Sequence, residues 1–317
     1  MKLNCFFGTL LIVSFFSSIP AFSQVGIPEK PFFNSRFVVV DSMKIHMRIW
    51  NDSLSHPRGK ILMVHGFIGS SFSWRENIDT LVKEKYKVVA VDLPGFGYSE
   101  RDVKFNQSHS RKAGLLLRLI GLLDGNDTTK WNVMGHSMGG GTVEAMALIK
   151  PERIKSVIIV DGMVFTKNGN VNSTFVVLSR NKQYNKVFSS MIESKIFTPG
   201  IIRWAFKRMY GYTPDSNIVK GYLDPLLIDG TAPCVLNVWA NSKEVLHLDI
   251  HNFEKMPILV VWGEDDKTIR LRRGKRFIKN VSHATLKVIP DAHHDPMETH
   301  PGIFNRYLVE FLNKNNW

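Results

Sequence analysis

The sequence predicts an α/β fold: a mostly parallel, doubly wound sheet carrying a helical cap insertion. Two observations lead there. Short apolar runs bounded by turn residues alternate with segments of helical period, the pattern of strands paired in parallel and covered by helices on both faces. That rhythm stops near residue 165, where no strand signal follows, and resumes at Pro257. The 317 residues, 44% hydrophobic and 22% charged, are enough for one large core plus an insertion. Disordered and coiled-coil classes are excluded by that composition.

In chain order, Lys2, an apolar run from Cys5 to Phe16 and then Ser17 to Ser23 read as a secretory signal. Ala21 and Ser23 supply the small residues of a cut before Gln24. The alternative is an uncleaved anchor, against which the run is shorter than the ~20 residues needed to span a bilayer. The expected localisation is therefore periplasmic or secreted. Cys5 leaves with the signal, so the mature chain holds Cys234 alone and forms no internal disulfide. Cys234 reads as packing. Asn51, Asn106, Asn126, Asn172 and Asn280 are glycosylation acceptors only in a eukaryotic secretory pathway.

Strands are expected near Phe37–Val40, Ile45–Trp50, Ile61–Val64, Val88–Val91, Trp131–Met134, Ser156–Val160, Ile258–Trp262 and Thr285–Ile289. Helices are expected over Ile78–Glu84, His109–Leu123, Met138–Ile149, Arg270–Ile278 and Gly302–Asn313. The core comprises 24–163 and 254–317. The cap spans 164–253, where Phe175, Met191, Ile192, Phe197, Trp204, Phe206, Met209, Tyr210 and Tyr212 scatter among polar residues. The net charge is +13, densest from Lys267 through Arg270, Arg272, Arg273, Lys275 and Arg276 to Lys279. No aromatic residues interleave there as nucleic-acid stacking requires, so the stretch reads as a solvated helix face with Leu271 and Phe277 turned inward. Contact with a membrane surface is compatible with this charge but not required, and no nucleic-acid partner is expected.

The chemistry begins at Gly135-His136-Ser137-Met138-Gly139-Gly140-Gly141, a G-x-S-x-G turn between a strand and a helix. Such a turn strains the serine backbone and exposes Oγ, and its glycines let helix and strand approach closely. The helix start places positive potential where an oxyanion would form. A serine hydroxyl needs a histidine base, and the histidine needs a carboxylate to fix its tautomer. Downstream, the strand Ile258–Trp262 runs into Gly263-Glu264-Asp265-Asp266, and Thr285–Ile289 into Asp291-Ala292-His293-His294-Asp295-Pro296. Both lie beyond strand C-termini, where open α/β sheets meet their ligands. His65 and His136 sit inside constrained turns and read as hydrogen-bonding and packing groups.

With those segments, His65 to Ser71 and Val91 to Ser99, the chain resembles the capped α/β-hydrolase superfamily of esterases, lipase-like enzymes, epoxide hydrolases and haloalkane dehalogenases. The resemblance covers nearly all the mature chain. It implies a W-G-x-x-D acid at Asp266, with Glu264 and Asp265 beside it and Asp161 as a second candidate where some relatives keep the acid. It implies the base at His294, selected by Pro296 and Pro301, although His293 stands where the family keeps glycine. It puts the oxyanion hole on the backbone N–H groups of Phe67 and Met138. A serine at 137 removes the carboxylate-nucleophile chemistry of dehalogenases and epoxide hydrolases.

The function expected is a serine hydrolase cleaving a carboxylic ester through an acyl-enzyme, on a small molecule with an apolar acyl or ring group. C–C bond hydrolase, lactonase, amidase or aminopeptidase and perhydrolase activities share the same triad, and a non-catalytic binding protein is the alternative of another class. Arg75, Arg203 and Arg208 are candidates for a carboxylate-binding arginine. A metal reading of His293, His294, Asp295 and His300 is the alternative to the triad. No dinucleotide fingerprint, Walker loop or zinc-ligand spacing is present, and no cofactor is expected.

Overall fold

A computed structural model describes residues 25–162, 182–240 and 250–315. The signal segment 1–23 with its cut before Gln24, the acceptor Asn172, Phe175 and parts of the cap boundaries lie outside the described residues.

Eight strands form one sheet: β1 (Ser35–Val40), β2 (Met43–Trp50), β3 (Gly59–Val64), β4 (Tyr86–Val91), β5 (Trp131–His136), β6 (Ile154–Val160), β7 (Ile258–Gly263) and β8 (Thr285–Ile289). Their order is β1-β2-β4-β3-β5-β6-β7-β8. β2 pairs antiparallel with β1 and β4, and every later pairing is parallel.

The core follows from the two-residue period of a strand. Leu62, Val64, Val89, Val91, Val133, Val157, Ile159 and Val260 face one side, with α2 (His109–Asp124) and α3 (Met138–Ile149). Their neighbours Ile61, Met63, Val88, Ala90, Met134, Ile158, Val160 and Val261 face the other, against α1 (Ile78–Lys83) and Phe304, Leu308 and Phe311 of the C-terminal helix. A strand buried on both faces reads as the unbroken apolar run seen in the sequence.

Between β6 and β7 the described insertion is helical: α4 (Lys182–Met191), α5 (Pro199–Tyr210), α6 (Ser216–Leu226) and α7 (Thr231–Ala240). Thr198 caps α5 by accepting from the Ile201 N–H, and Asp215 caps α6 by accepting from Asn217 and Ile218. The chain ends in α8 (Arg272–Asn280), the one-turn α9 (Pro296–Thr299) and α10 (Pro301–Lys314).

Helix α8 begins two residues later than its apolar period suggested. Asp266 Oδ1 accepts from the Thr268 and Ile269 amides, and the Ile269 carbonyl accepts from Trp262 Nε1, so 266–269 are held as a turn. The basic residues of this stretch are exposed, and Gly274 and Phe277 pack inward. Cys234 is fully buried. Among the described residues no helix is long and apolar enough to cross a membrane.

Candidate active site

Each residue named for chemistry follows the C-terminal end of a strand: Phe67 after β3, Ser137 after β5, Asp161 after β6, Asp266 after β7 and His294 after β8. Ser137 occupies φ 50°, ψ −115° between β5 and α3, a left-handed strain for a residue with a Cβ. Its amide donates to the Val160 carbonyl at 3.0 Å, which fixes the turn from the neighbouring strand. The glycines are there for space. A Cβ on Gly135 would stand 2.3 Å from the Gly139 carbonyl oxygen, and one on Gly139 would stand 2.3 Å from that of Val64.

His294 Nε2 lies 3.0 Å from Ser137 Oγ, and its Nδ1 lies 2.8 Å from Asp266 Oδ2. Serine, imidazole and carboxylate thus form one hydrogen-bonded line. Asp266 is buried while Glu264 and Asp265 are exposed. Burial alone would raise the Asp266 carboxyl, but the His294 bond and charge, Asp161 and the Ile269 amide outweigh it and hold the group below the usual range. Asp161 is placed behind this line. Its Oδ1 accepts from Gly263 N–H at 3.0 Å, and burial followed by the Asp266 charge pushes its own carboxyl well up.

His293 is in a different place from its neighbour. Its ring packs where a Cβ on Gly211 of the cap would fall, 2.7 Å away. Donor atoms of Asp161, Asp266 and His294 lie within 4.8 Å of one another, but both ring nitrogens of His294 are already engaged by Asp266 and Ser137. The metal set of His293, His294, Asp295 and His300 is not assembled: among the described residues, the one such grouping is the set just given.

The two motif histidines hold loops. His65 Nε2 accepts from the Leu93 amide at 2.9 Å and its Nδ1–H donates to the Gly66 carbonyl at 2.7 Å. His136 Nε2–H donates to the carbonyl of His294 at 2.9 Å, and burial lowers its pKa to about 3. Gly66 brings the loop after β3 against the nucleophile, since a Cβ there would lie 3.0 Å from Ser137 Cβ. The amide of Phe67 therefore lies in the loop touching Ser137, and that of Met138 opens α3.

Sequence reasoning missed two buried clusters around this line. Asp92 accepts from the Ser71 amide (2.6 Å), the Tyr98 amide (2.7 Å) and His46 Nδ1 (2.7 Å), tying together the loops after β3 and β4. Glu298 accepts from Arg75 (2.5 Å) and from the hydroxyls of Tyr210 and Tyr222. Arg75 is therefore engaged inside the protein and is not offered to a substrate. Arg203 donates to Ser216 Oγ at the surface, and Arg208 lies exposed over the Trp204 ring.

Residues 60–301 match the alpha/beta hydrolase fold family, and the chain belongs to it. An uncharacterized hydrolase of Bacillus subtilis, YugF, is 25% identical over 268 residues, covering 84% of this chain and 94% of that protein. A 2-hydroxy-6-oxononadienedioate/2-hydroxy-6-oxononatrienedioate hydrolase of Cupriavidus pinatubonensis is 27% identical over 290 residues, 88% of this chain and 95% of that protein. Among solved structures, a serine hydrolase involved in carbazole degradation superposes with a TM-score of 0.68 at 20% identity, covering 88% and 98% of the two chains. An esterase from Exiguobacterium antarcticum does so with a TM-score of 0.68 at 16% identity, covering 87% and 98%. At those identities the structural likeness speaks for the fold.

Proposed function

We propose that the protein is a serine hydrolase cleaving a carboxylic ester through an acyl-enzyme, with Ser137 as nucleophile, His294 as base and Asp266 as the orienting acid. The observation that carries this is the continuous line from Ser137 Oγ through His294 to Asp266 at 3.0 and 2.8 Å. Ser137 Oγ attacks the carbonyl carbon while His294 Nε2 takes its proton. The negative charge that develops on the carbonyl oxygen is met by the Phe67 and Met138 N–H groups. Collapse expels the alcohol, which receives the proton from His294, and water then repeats the sequence on the acyl-enzyme.

A second reading is hydrolysis of a C–C bond beside a carbonyl, favoured by the activity for which the Cupriavidus relative is named. Its substrate name denotes a dicarboxylate, and of the three arginines considered for such an anion Arg75 is held by Glu298 and Arg203 by Ser216. Fluorophosphonate labelling of wild type and Ser137→Ala tests the nucleophile. p-Nitrophenyl esters of increasing chain length, run beside a 2-hydroxy-6-oxo-dienoate, separate the two readings. Labelling that survives in Ser137→Ala refutes the mechanism, and turnover of the dienoate without any ester replaces the first reading by the second. We also propose export after cleavage before Gln24, which N-terminal sequencing of the mature protein would establish or overturn.

A further inference from the structure

Glu298 is a fully buried carboxyl one helical turn past His294, and three donors from three separate elements converge on it. Tyr210 ends cap helix α5, Tyr222 lies in cap helix α6, and Arg75 follows the short 3-10 helix Ser71–Trp74 that continues the loop of Phe67. The Tyr222 hydroxyl also lies 3.0 Å from Ser73 Oγ, and the Arg75 guanidinium lies 3.5 Å from the Tyr210 hydroxyl. Next to Tyr210, the Met209 carbonyl accepts the backbone N–H of His294 itself at 2.9 Å. Gly211, at φ 84°, then lets the cap close over the His293 ring. The amide of His294 is thus bonded to the last turn of one cap helix, His293 packs against the residue that follows that turn, and the turn is bonded to Glu298 through Tyr210.

Charge in this cluster is allotted unequally. Burial, followed by the Glu298 charge, pushes Asp295 well up. Burial also raises Glu298, offset only in part by Arg75 and the two phenols, and Glu298 is the carboxyl of the pair that faces the guanidinium. Apolar side chains of similar volume would hold a cap at least as firmly as a buried ion cluster does. What the cluster adds is a single geometry, because each donor must meet a fixed oxygen.

We propose that Glu298 is a positioning residue that couples the seating of the cap to the placement of His294 and of the loop carrying Phe67, so that the triad is aligned only when Tyr210, Tyr222 and Arg75 are seated on it. This rests on the serine-hydrolase reading, and the experiment separates the two. Tyr210→Phe and Tyr222→Phe remove one hydroxyl each and keep the rings, and Glu298→Gln keeps length and one acceptor. Ile154→Ala, buried at the N-terminal end of β6 and so at the opposite edge of the sheet from the site, serves as a variant that loses stability away from the cluster.

The rate of fluorophosphonate labelling at Ser137 is measured well below each variant's Tm, together with deuterium exchange over residues 290–297. Labelling is expected to slow roughly 10- to 100-fold in the two Tyr variants, the scale for a misplaced catalytic group. Exchange at the His294 amide should speed up with it, while Ile154→Ala labels at the wild-type rate despite a lower Tm. Tyr210→Phe and Tyr222→Phe that label within twofold of wild type, with unchanged exchange at 290–297, would overturn the proposal and leave Glu298 an ordinary structural ion pair. Absence of labelling in wild type would sink the hydrolase reading alone, and the exchange measurement would still decide the coupling.

Discussion

Replacing Asp266 by Asn tests the choice of acid, and its cost can be worked from the contacts of each oxygen. Oδ1 of Asp266 accepts from the Thr268 and Ile269 amides at 2.7 and 2.9 Å, and Oδ2 faces His294 Nδ1. An asparagine keeps its carbonyl oxygen on the two amides, so its NH2 group must take the place of Oδ2. That presents a donor to Nδ1 and drives the ring proton to Nε2, where it blocks acceptance of the Ser137 proton. A wrong tautomer in an otherwise intact serine triad costs about 10⁴ in kcat, roughly 5.5 kcal/mol of transition-state stabilisation. Asp161→Asn replaces a carboxyl that burial and the Asp266 charge push well up with a neutral isostere, at a φ of 40° that asparagine tolerates. Its effect on kcat should stay within about threefold. The assay is turnover of the best p-nitrophenyl ester at pH 7.5, with circular dichroism and Tm to show that both variants fold. Retention of more than a tenth of the activity by Asp266→Asn, or an equal loss in Asp161→Asn, would refute the assignment.

His293→Gln should label with fluorophosphonate within a few-fold of wild type, because its ring packs on Gly211 and not on Ser137, whereas His294→Gln should not label measurably. Gly97→Ala should lower stability by roughly 3 kcal/mol or more, read by urea titration, since φ is 54° and the added Cβ would fall 2.1 Å from the Asp92 carboxyl carbon. Burial would raise Asp92, but His46, His65 and the Ser71 amide hold it at about 2, against 3.8 for a free side chain. A depressed carboxylate contributes stability that is fully present above the unfolded pKa and is lost as pH falls from about 4 toward 2, here on the order of 2 kcal/mol. The Tm gap between wild type and Asp92→Asn should therefore narrow between pH 4.5 and pH 3. Cys234, its thiol pushed up to about 12 by burial, should resist iodoacetamide until the protein unfolds.

The strands, and the residues that meet in the hydrogen-bonded line from Ser137 through His294 to Asp266, were legible in the sequence because each is written locally. β7 is an unbroken apolar run and β5 one interrupted at Asn132, and each ends in the motif it presents, so the residue after the run is fixed at the rim of the sheet. At 135 and 139 a Cβ would stand 2.3 Å from a backbone oxygen, a constraint only glycine meets. The choice among Glu264, Asp265 and Asp266 rested on the spacing of the family pattern, and the fold supplies its physical content: one of the three points inward while its own Oδ1 closes the turn before α8. His293 and His294 differ in the same way, by which side of the chain each presents.

Arg75 shows what local pattern does not carry. It was considered as a receptor for a substrate carboxylate, and the chain supplies that carboxylate itself, 223 residues later, at Glu298. Tyr210 reads as one of the scattered apolar and aromatic residues of the cap, yet its hydroxyl and that of Tyr222, at sequence distances of 88 and 76, complete the same cluster. Helical period assigns such a tyrosine to the buried face correctly, but it says nothing of what the hydroxyl meets there. A group that must be paired once desolvated can take its partner from any element brought to the same place. The Ser137–His294–Asp266 line satisfies that requirement with residues just beyond β5, β7 and β8. The Glu298 cluster satisfies it only after sheet, cap and C-terminal segment have come together, so its pairing is a property of the assembled fold, and disturbing it should be felt first where cap and catalytic histidine share a hydrogen bond.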